Sequence, residues 1–162
     1  MKKIGYIALN FFDDLKKDFQ KYVEKYIKKD DLFYIKEKNK IKGGIVIDKL
    51  HLTLLFGIDN DFFQEDHIQK IEKKEIVLGD LYLFYIPEFN CNALVVKVID
   101  DGYLKQLHNS LMKKIKLSKK NKFDFVPHIT IAYVKKDFKL TDDKYFFGKK
   151  VKIKSVEYKI KS

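Results

Sequence analysis

Apolar and polar residues alternate along much of this chain with a period of two, interrupted by two long stretches of helical spacing. Residues 3–11, "KIGYIALNF", read as a strand in which Ile4, Tyr6, Ala8 and Asn10 share one face. Asp13 or Asp14 then caps a helix with the apolar stripe Leu15, Phe19, Tyr22, Val23, Tyr26 and Ile27. Residues 31–42 are ambiguous: "LFYIK" fits a strand followed by a lysine-rich loop, and "KGGIVIDK" supplies a turn. The run "LHLTLLF" comes next. Its alternation puts Leu50, Leu52, Leu54 and Phe56 on one face and His51, Thr53 and Leu55 on the other.

Asp61 opens a short helix to about Lys74, with Phe62, Ile68 and Ile71 as its apolar contacts. "EIVLGDLYLFYIPEF" and "NALVVKVI" predict two strands joined around residues 87–92. Asp101-Gly102 starts a second long helix with the stripe Leu104, Leu107, Leu111 and Ile115. In "FVPHITIAYV", Ile129, Ile131 and Tyr133 point to the core and His128, Thr130 and Ala132 to the other face. "KKVKIKSVEYKI" reads as one last strand of alternating basic and apolar residues. The order of elements describes two α+β halves, each with a long helix and one His-x-Thr strand. The expected architecture is a single domain over residues 1–162, with two similar lobes whose sheets face each other across a cleft.

The doubled motif changes the picture most. Only four histidines occur in 162 residues, and two of them sit in the same local frame, "HLTLLFG" and "HITIAYV". On a strand, positions i and i+2 point the same way, so each imidazole projects together with a hydroxyl. A pseudo-two-fold between the lobes brings His51, Thr53, His128 and Thr130 to one point. Such a set suits phosphodiester chemistry: one imidazole takes a proton from the attacking oxygen, and the other gives one to the leaving oxygen. The threonine hydroxyls hold the non-bridging oxygens. Histidine fits because its ordinary pKa near ~6.5 lets one copy be neutral and its partner charged. Two histidines without a third ligand make a poor zinc site, so neither a metal nor another cofactor is expected. His67 and His108 receive no role. Neither Cys91 nor any serine lies on an elbow turn that would suit a nucleophile.

Composition refines the partner. The net charge is +11, which favours an anionic ligand, yet all 34 basic residues are lysine. The same composition is what an AT-rich genome produces whatever the function. Without arginine there is no bidentate phosphate fork, so lysine, histidine, hydroxyls and backbone N–H groups must grip any phosphate. Lys135 and Lys136, just beyond the second motif, are candidates. One cysteine excludes an intramolecular disulfide and fits a reducing, cytoplasmic setting. Tyr6 and Asn10 interrupt the N-terminal apolar run and Asp13 and Asp14 end it, with no cleavage site after them, which argues against a signal peptide. No stretch approaches the ~20 apolar residues of a membrane span, so a soluble protein is expected.

At "HLTLLF", "PHITIAY" and the opening "YIAL", the chain resembles the 2H phosphoesterase superfamily. That group includes LigT-like RNA 2′,3′-cyclic phosphodiesterases, 2′-5′ phosphodiesterases and phage enzymes that cleave the cyclic oligonucleotide signals of antiviral defence. The resemblance implies a bilobal α+β fold with His51 and His128 as the acid–base pair and Thr53 and Thr130 as phosphate binders. It also implies that Tyr6 lines the cleft, where it either stacks on a nucleobase or packs at the sheet edge. The expected activity is metal-independent cleavage of a short or cyclic oligonucleotide, with no obligate protein partner. The alternatives are RNA end-processing at a 2′,3′-cyclic phosphate, and a module that binds nucleotide or RNA without cleaving it.

Overall fold

The computed structural model describes residues 3–118 and 124–161 of the chain. Two antiparallel sheets meet at its centre. The first has the order β4-β1-β9, with β1 at Ile4–Phe11, β4 at His51–Asp59 and β9 at Ile153–Ile160. The second has the order β7-β6-β5-β8, with β5 at Ile76–Ile86, β6 at Cys91–Ile99, β7 at His128–Lys135 and β8 at Lys150–Val151. β4 and β7, the two His-x-Thr strands, are edge strands of their sheets and lie close to one another. A small hairpin of β2 (Tyr34–Glu37) and β3 (Lys40–Gly43) forms a sheet of its own, and its base is bonded to β7 through Phe33 N–H to the Tyr133 carbonyl and Tyr133 N–H to the Gly44 carbonyl.

The long helices cross over. α1 (Asp13–Tyr26) follows β1 of the first sheet, but its rings pack on Tyr145 and Phe146, in the segment leading into β8 of the second. α3 (Tyr103–Lys114) follows β6 of the second sheet and packs on β4 of the first. One continuous apolar cluster therefore joins both lobes, and Leu52, Leu54, Ile129 and Ile131 at its centre are fully buried. Burial of each such side chain stabilises the fold by roughly 1.5–3 kcal/mol. It also pins the motif strands in place, because a one-residue slip would bring those side chains out to solvent.

Several boundaries differ from the expectation. Phe12, not Asp13 or Asp14, occupies the cap of α1 and makes no side-chain bond; both aspartates lie in the first turn, where their charge favours the helix N-terminus. The helix expected from Asp61 shrinks to a 3₁₀ turn at Asn60–Phe62 and one α-helical turn, α2, at Asp66–Gln69. Phe63, rather than the 43% exposed Phe62, supplies the ring contact there by stacking on Tyr158 at 3.9 Å. The last run is two strands, since the chain passes from β8 in one sheet to β9 in the other at Lys152.

Tyr22 of α1 is fully buried, and its hydroxyl has no hydrogen-bond partner among the described residues. Burial, assisted by Tyr26 and Asp142, pushes its pKa up to about 12. An unpaired buried hydroxyl costs stability. Tyr22→Phe is therefore expected to stabilise the fold by about 1 kcal/mol, raising the thermal midpoint by about 2–4 °C. A lower midpoint in calorimetry would show that the hydroxyl is paired after all.

Candidate active site

His51 and His128 open their strands, and each motif is interrupted by a bulge three positions later. In the β1–β4 ladder Ala8 pairs with Thr53 and Ile7 with Leu55, so Leu54 is the extra residue. In the β6–β7 ladder Val95 pairs with Thr130 and Leu94 with Ala132, so Ile131 is the extra residue. The two lobes thus repeat the irregularity as well as the motif. A bulge inverts the alternation beyond it, which overturns the predicted faces of the residues after each bulge. Leu55 and Ala132 go into the core, while Phe56 and Tyr133 turn to the side of the histidines. Tyr133 is thus no core residue in line with Ile129 and Ile131.

A bulge frees a backbone carbonyl from its ladder, and the two lobes satisfy it differently. The Ile131 carbonyl accepts from the Val46 N–H at 2.9 Å. The Leu54 carbonyl accepts from Nδ1 of His108, which is buried and stacked on Phe125 at 4.4 Å. His108 therefore holds the shape of the first motif strand from behind. Its position beside an apolar helical stripe was legible, but this partner was not. Gly57 adds a second bulge on β4 at φ 88°, a conformation that side chains with a Cβ rarely adopt.

The imidazoles are held alike. His51 Nδ1 donates to the Lys49 carbonyl at 2.8 Å, and His128 Nδ1 donates to the Val126 carbonyl at 2.7 Å, in both cases two residues back. A carbonyl only accepts, so the proton must sit on Nδ1, and Nε2 is left as the working nitrogen of both rings. Burial lowers the pKa of each, partly offset by these carbonyls. His51 feels two further depressing influences, the Lys159 ammonium and His128 itself. The two histidines are therefore within electrostatic reach of each other. Thr53 and His128 line one cavity of about 580 Å³, and Thr130 shares its strand face with His128. Tyr6 stands beside His51 with ring centroids 5.5 Å apart and 6.3 Å from Phe56.

The walls of the cleft differ in chemistry. On the His51 side, a second cavity of about 570 Å³ is lined by Tyr6, Asn10, Ser155, Glu157 and Lys159. There Lys159 Nζ donates to Asn10 Oδ1 at 2.8 Å, and Asn10 Nδ2 donates to Glu157 at 2.6 Å. Asn10 is the ladder partner of His51. On the His128 side the neighbours are Phe84, edge-on to the imidazole at 5.1 Å, and Lys97, its ladder partner. Lys159 thus lies within electrostatic reach of His51, and Lys97 lies across the ladder from His128. Lys135 pairs with Cys91 at the far end of β7 from His128 and is exposed, so it and Lys136 are not at the site. Lys97 left a trace in the sequence as a lone lysine inside "NALVVKVI"; Lys159 was hidden among many. His67 accepts from the Gln64 N–H and touches Phe63.

No protein-family model matches the sequence, and no curated protein matches it either. Solved structures do match its fold. The whole chain superposes on 97% of Escherichia coli LigT complexed with 3′-AMP, at 13% identity and a TM-score of 0.64. A protein of Thermus thermophilus matches 98% of this chain over 95% of its own, at 15% identity and a TM-score of 0.57. Kluyveromyces marxianus Usb1 with uridine monophosphate covers 81% of this chain and 71% of its own, at 14% identity and a TM-score of 0.51. The fold is accordingly the bilobal α+β fold of LigT-like phosphoesterases, two pseudo-symmetric antiparallel lobes with outer helices and a central cleft. Among the described residues, no helix is long and apolar enough to cross a membrane.

Proposed function

We propose that this protein is a phosphodiesterase of the 2H type that cleaves a short or cyclic oligonucleotide. The observation that carries the reading is the paired tautomer lock: two histidines in mirrored frames on neighbouring edge strands, each fixed through Nδ1 so that Nε2 is left for proton transfer. In the proposed step, one neutral Nε2 takes the proton of a water or ribose 2′-OH as its oxygen bonds to phosphorus. The other, protonated Nε2 gives its proton to the leaving oxygen as the old P–O bond breaks. Thr53 and Thr130 hydroxyls, with Lys159, hold the non-bridging oxygens as charge builds on them.

Two substrate readings remain distinct. The lysine-only grip favours cyclic oligonucleotide signals of the kind that phage enzymes destroy. The nucleotide complexes of LigT and Usb1, with 3′-AMP and uridine monophosphate, favour an RNA terminus bearing a 2′,3′-cyclic phosphate. Incubation with cyclic di- and trinucleotides, 2′-5′ oligoadenylate and 2′,3′-cyclic-phosphate RNA, with and without EDTA, separates them by chromatography. Consumption of at least one class, unaffected by EDTA, is the expected outcome. Tight binding with no product from any of them would show a binding module.

The lowered pKa of both histidines sets the pH profile. An acid–base pair works with one ring neutral and one charged, and that state is most abundant below the ordinary histidine pKa when both values are depressed. The kcat/KM profile is expected to be bell-shaped with its maximum below pH ~6.5. A maximum on the alkaline side of neutrality would contradict this.

A further inference from the structure

The second sheet carries an aromatic feature beside His128 that the acid–base step does not use. Tyr82 stands edge-on to Phe84 at 5.0 Å, and Phe84 stands edge-on to His128 at 5.1 Å. The ladder partners of the two rings on β6 are small, Val95 for Tyr82 and Ala93 for Phe84, which leaves large side chains room to lean across the sheet toward β7. Tyr82 is 44% exposed, so packing alone is a weak reason for a ring there. Lys97, the ladder partner of His128, places Nζ 3.8 Å from the centroid of the Tyr82 ring. Among the described residues Lys97 forms no ion pair.

We propose that Tyr82, Phe84 and Lys97 form a subsite for the nucleotide adjoining the scissile phosphate, with its base on Tyr82 and its phosphate on Lys97. The position of the scissile phosphate rests on the phosphodiesterase reading. A nucleotide held between the two histidines has Phe84 at its edge, and the next ring out is Tyr82. Lys97 now lies over that ring, but an exposed ammonium–ring contact is weaker than a base–aromatic stack. An incoming nucleotide can take the ring face while the flexible ammonium swings to the phosphate, and the exchange gains on both counts. The subsite gives the protein a reason to prefer two or more linked nucleotides over one.

The test is calorimetric titration of ApApA and of AMP into a His51→Ala, His128→Ala protein, in which turnover is slowed by about 10²–10⁴-fold. Adding Tyr82→Ala is expected to cut the ApApA-to-AMP affinity ratio by about 5- to 150-fold, the equivalent of one lost base–aromatic stack. Tyr82→Phe should keep the ratio. Lys97→Gln should lower the slope of log affinity against log salt for ApApA by about 0.7, one single-strand phosphate contact. An unchanged ratio in Tyr82→Ala overturns the subsite, as would equal affinities in the parent protein. A Tyr82-dependent ratio, together with a wild-type protein that cleaves none of the oligonucleotides, would end the phosphodiesterase reading and leave the subsite standing.

Discussion

Replacing His51 or His128 with alanine is expected to slow cleavage by about 10²–10⁴-fold in either case. The two losses should be alike because the lobes present the same group in the same frame, Nε2 outward and Nδ1 on a carbonyl two residues back. Both rings lie at strand starts and are only partly exposed, while the core beneath them belongs to Leu52 and Ile129. Folding should therefore survive, and the circular dichroism spectrum should be that of the parent. His108→Ala is a useful contrast. It leaves the buried Leu54 carbonyl without its donor, which costs about 1–3 kcal/mol of stability before any effect on the reaction.

Thr53→Val and Thr130→Val are the second pair of variants with a large expected effect. Among the described residues, neither hydroxyl has a hydrogen-bond partner, and neither is sealed from solvent. Such hydroxyls contribute little to the fold and are free to meet a phosphate oxygen. Valine keeps the branched shape that a strand favours. Loss of a donor aimed at developing negative charge costs about 10²–10³-fold in kcat, so each valine variant should fall in that range with its stability unchanged. Serine at either position should restore most of the rate. Wild-type kcat in both valine variants would remove the threonines from the site.

The alternation that pointed to the candidate site also misread the strands that carry it. Period-two patterning located β1, β4 and β7 and put His51, Thr53, His128 and Thr130 on the correct faces, because the strands are regular up to each threonine. Beyond the threonines the pattern failed twice in the same way. The bulges at Leu54 and Ile131 fall between apolar neighbours, where an extra residue leaves no mark on the polar–apolar pattern. Phe56 and Tyr133 were therefore assigned to the core although they face the histidines. The supporting groups were invisible for another reason. His108, Lys159 and Phe84 reach the site only through α3, β9 and β5, and no local spacing records which strand ends beside which. The pass from β8 to β9 at Lys152 was hidden likewise, since one alternating run serves two sheets without interruption.

The central claim is that the two His-x-Thr copies form one site and act in one step. Groups that act as a unit lose activity non-additively, so a double variant separates this from two independent contributions. The most direct measurement is the single-turnover rate of His51→Ala, His128→Ala beside both single variants, on whichever nucleotide the parent protein consumes. The predicted result is that the double variant is about as slow as the slower single one. A loss equal to the product of the two single losses, or parental activity in either single variant, would contradict it.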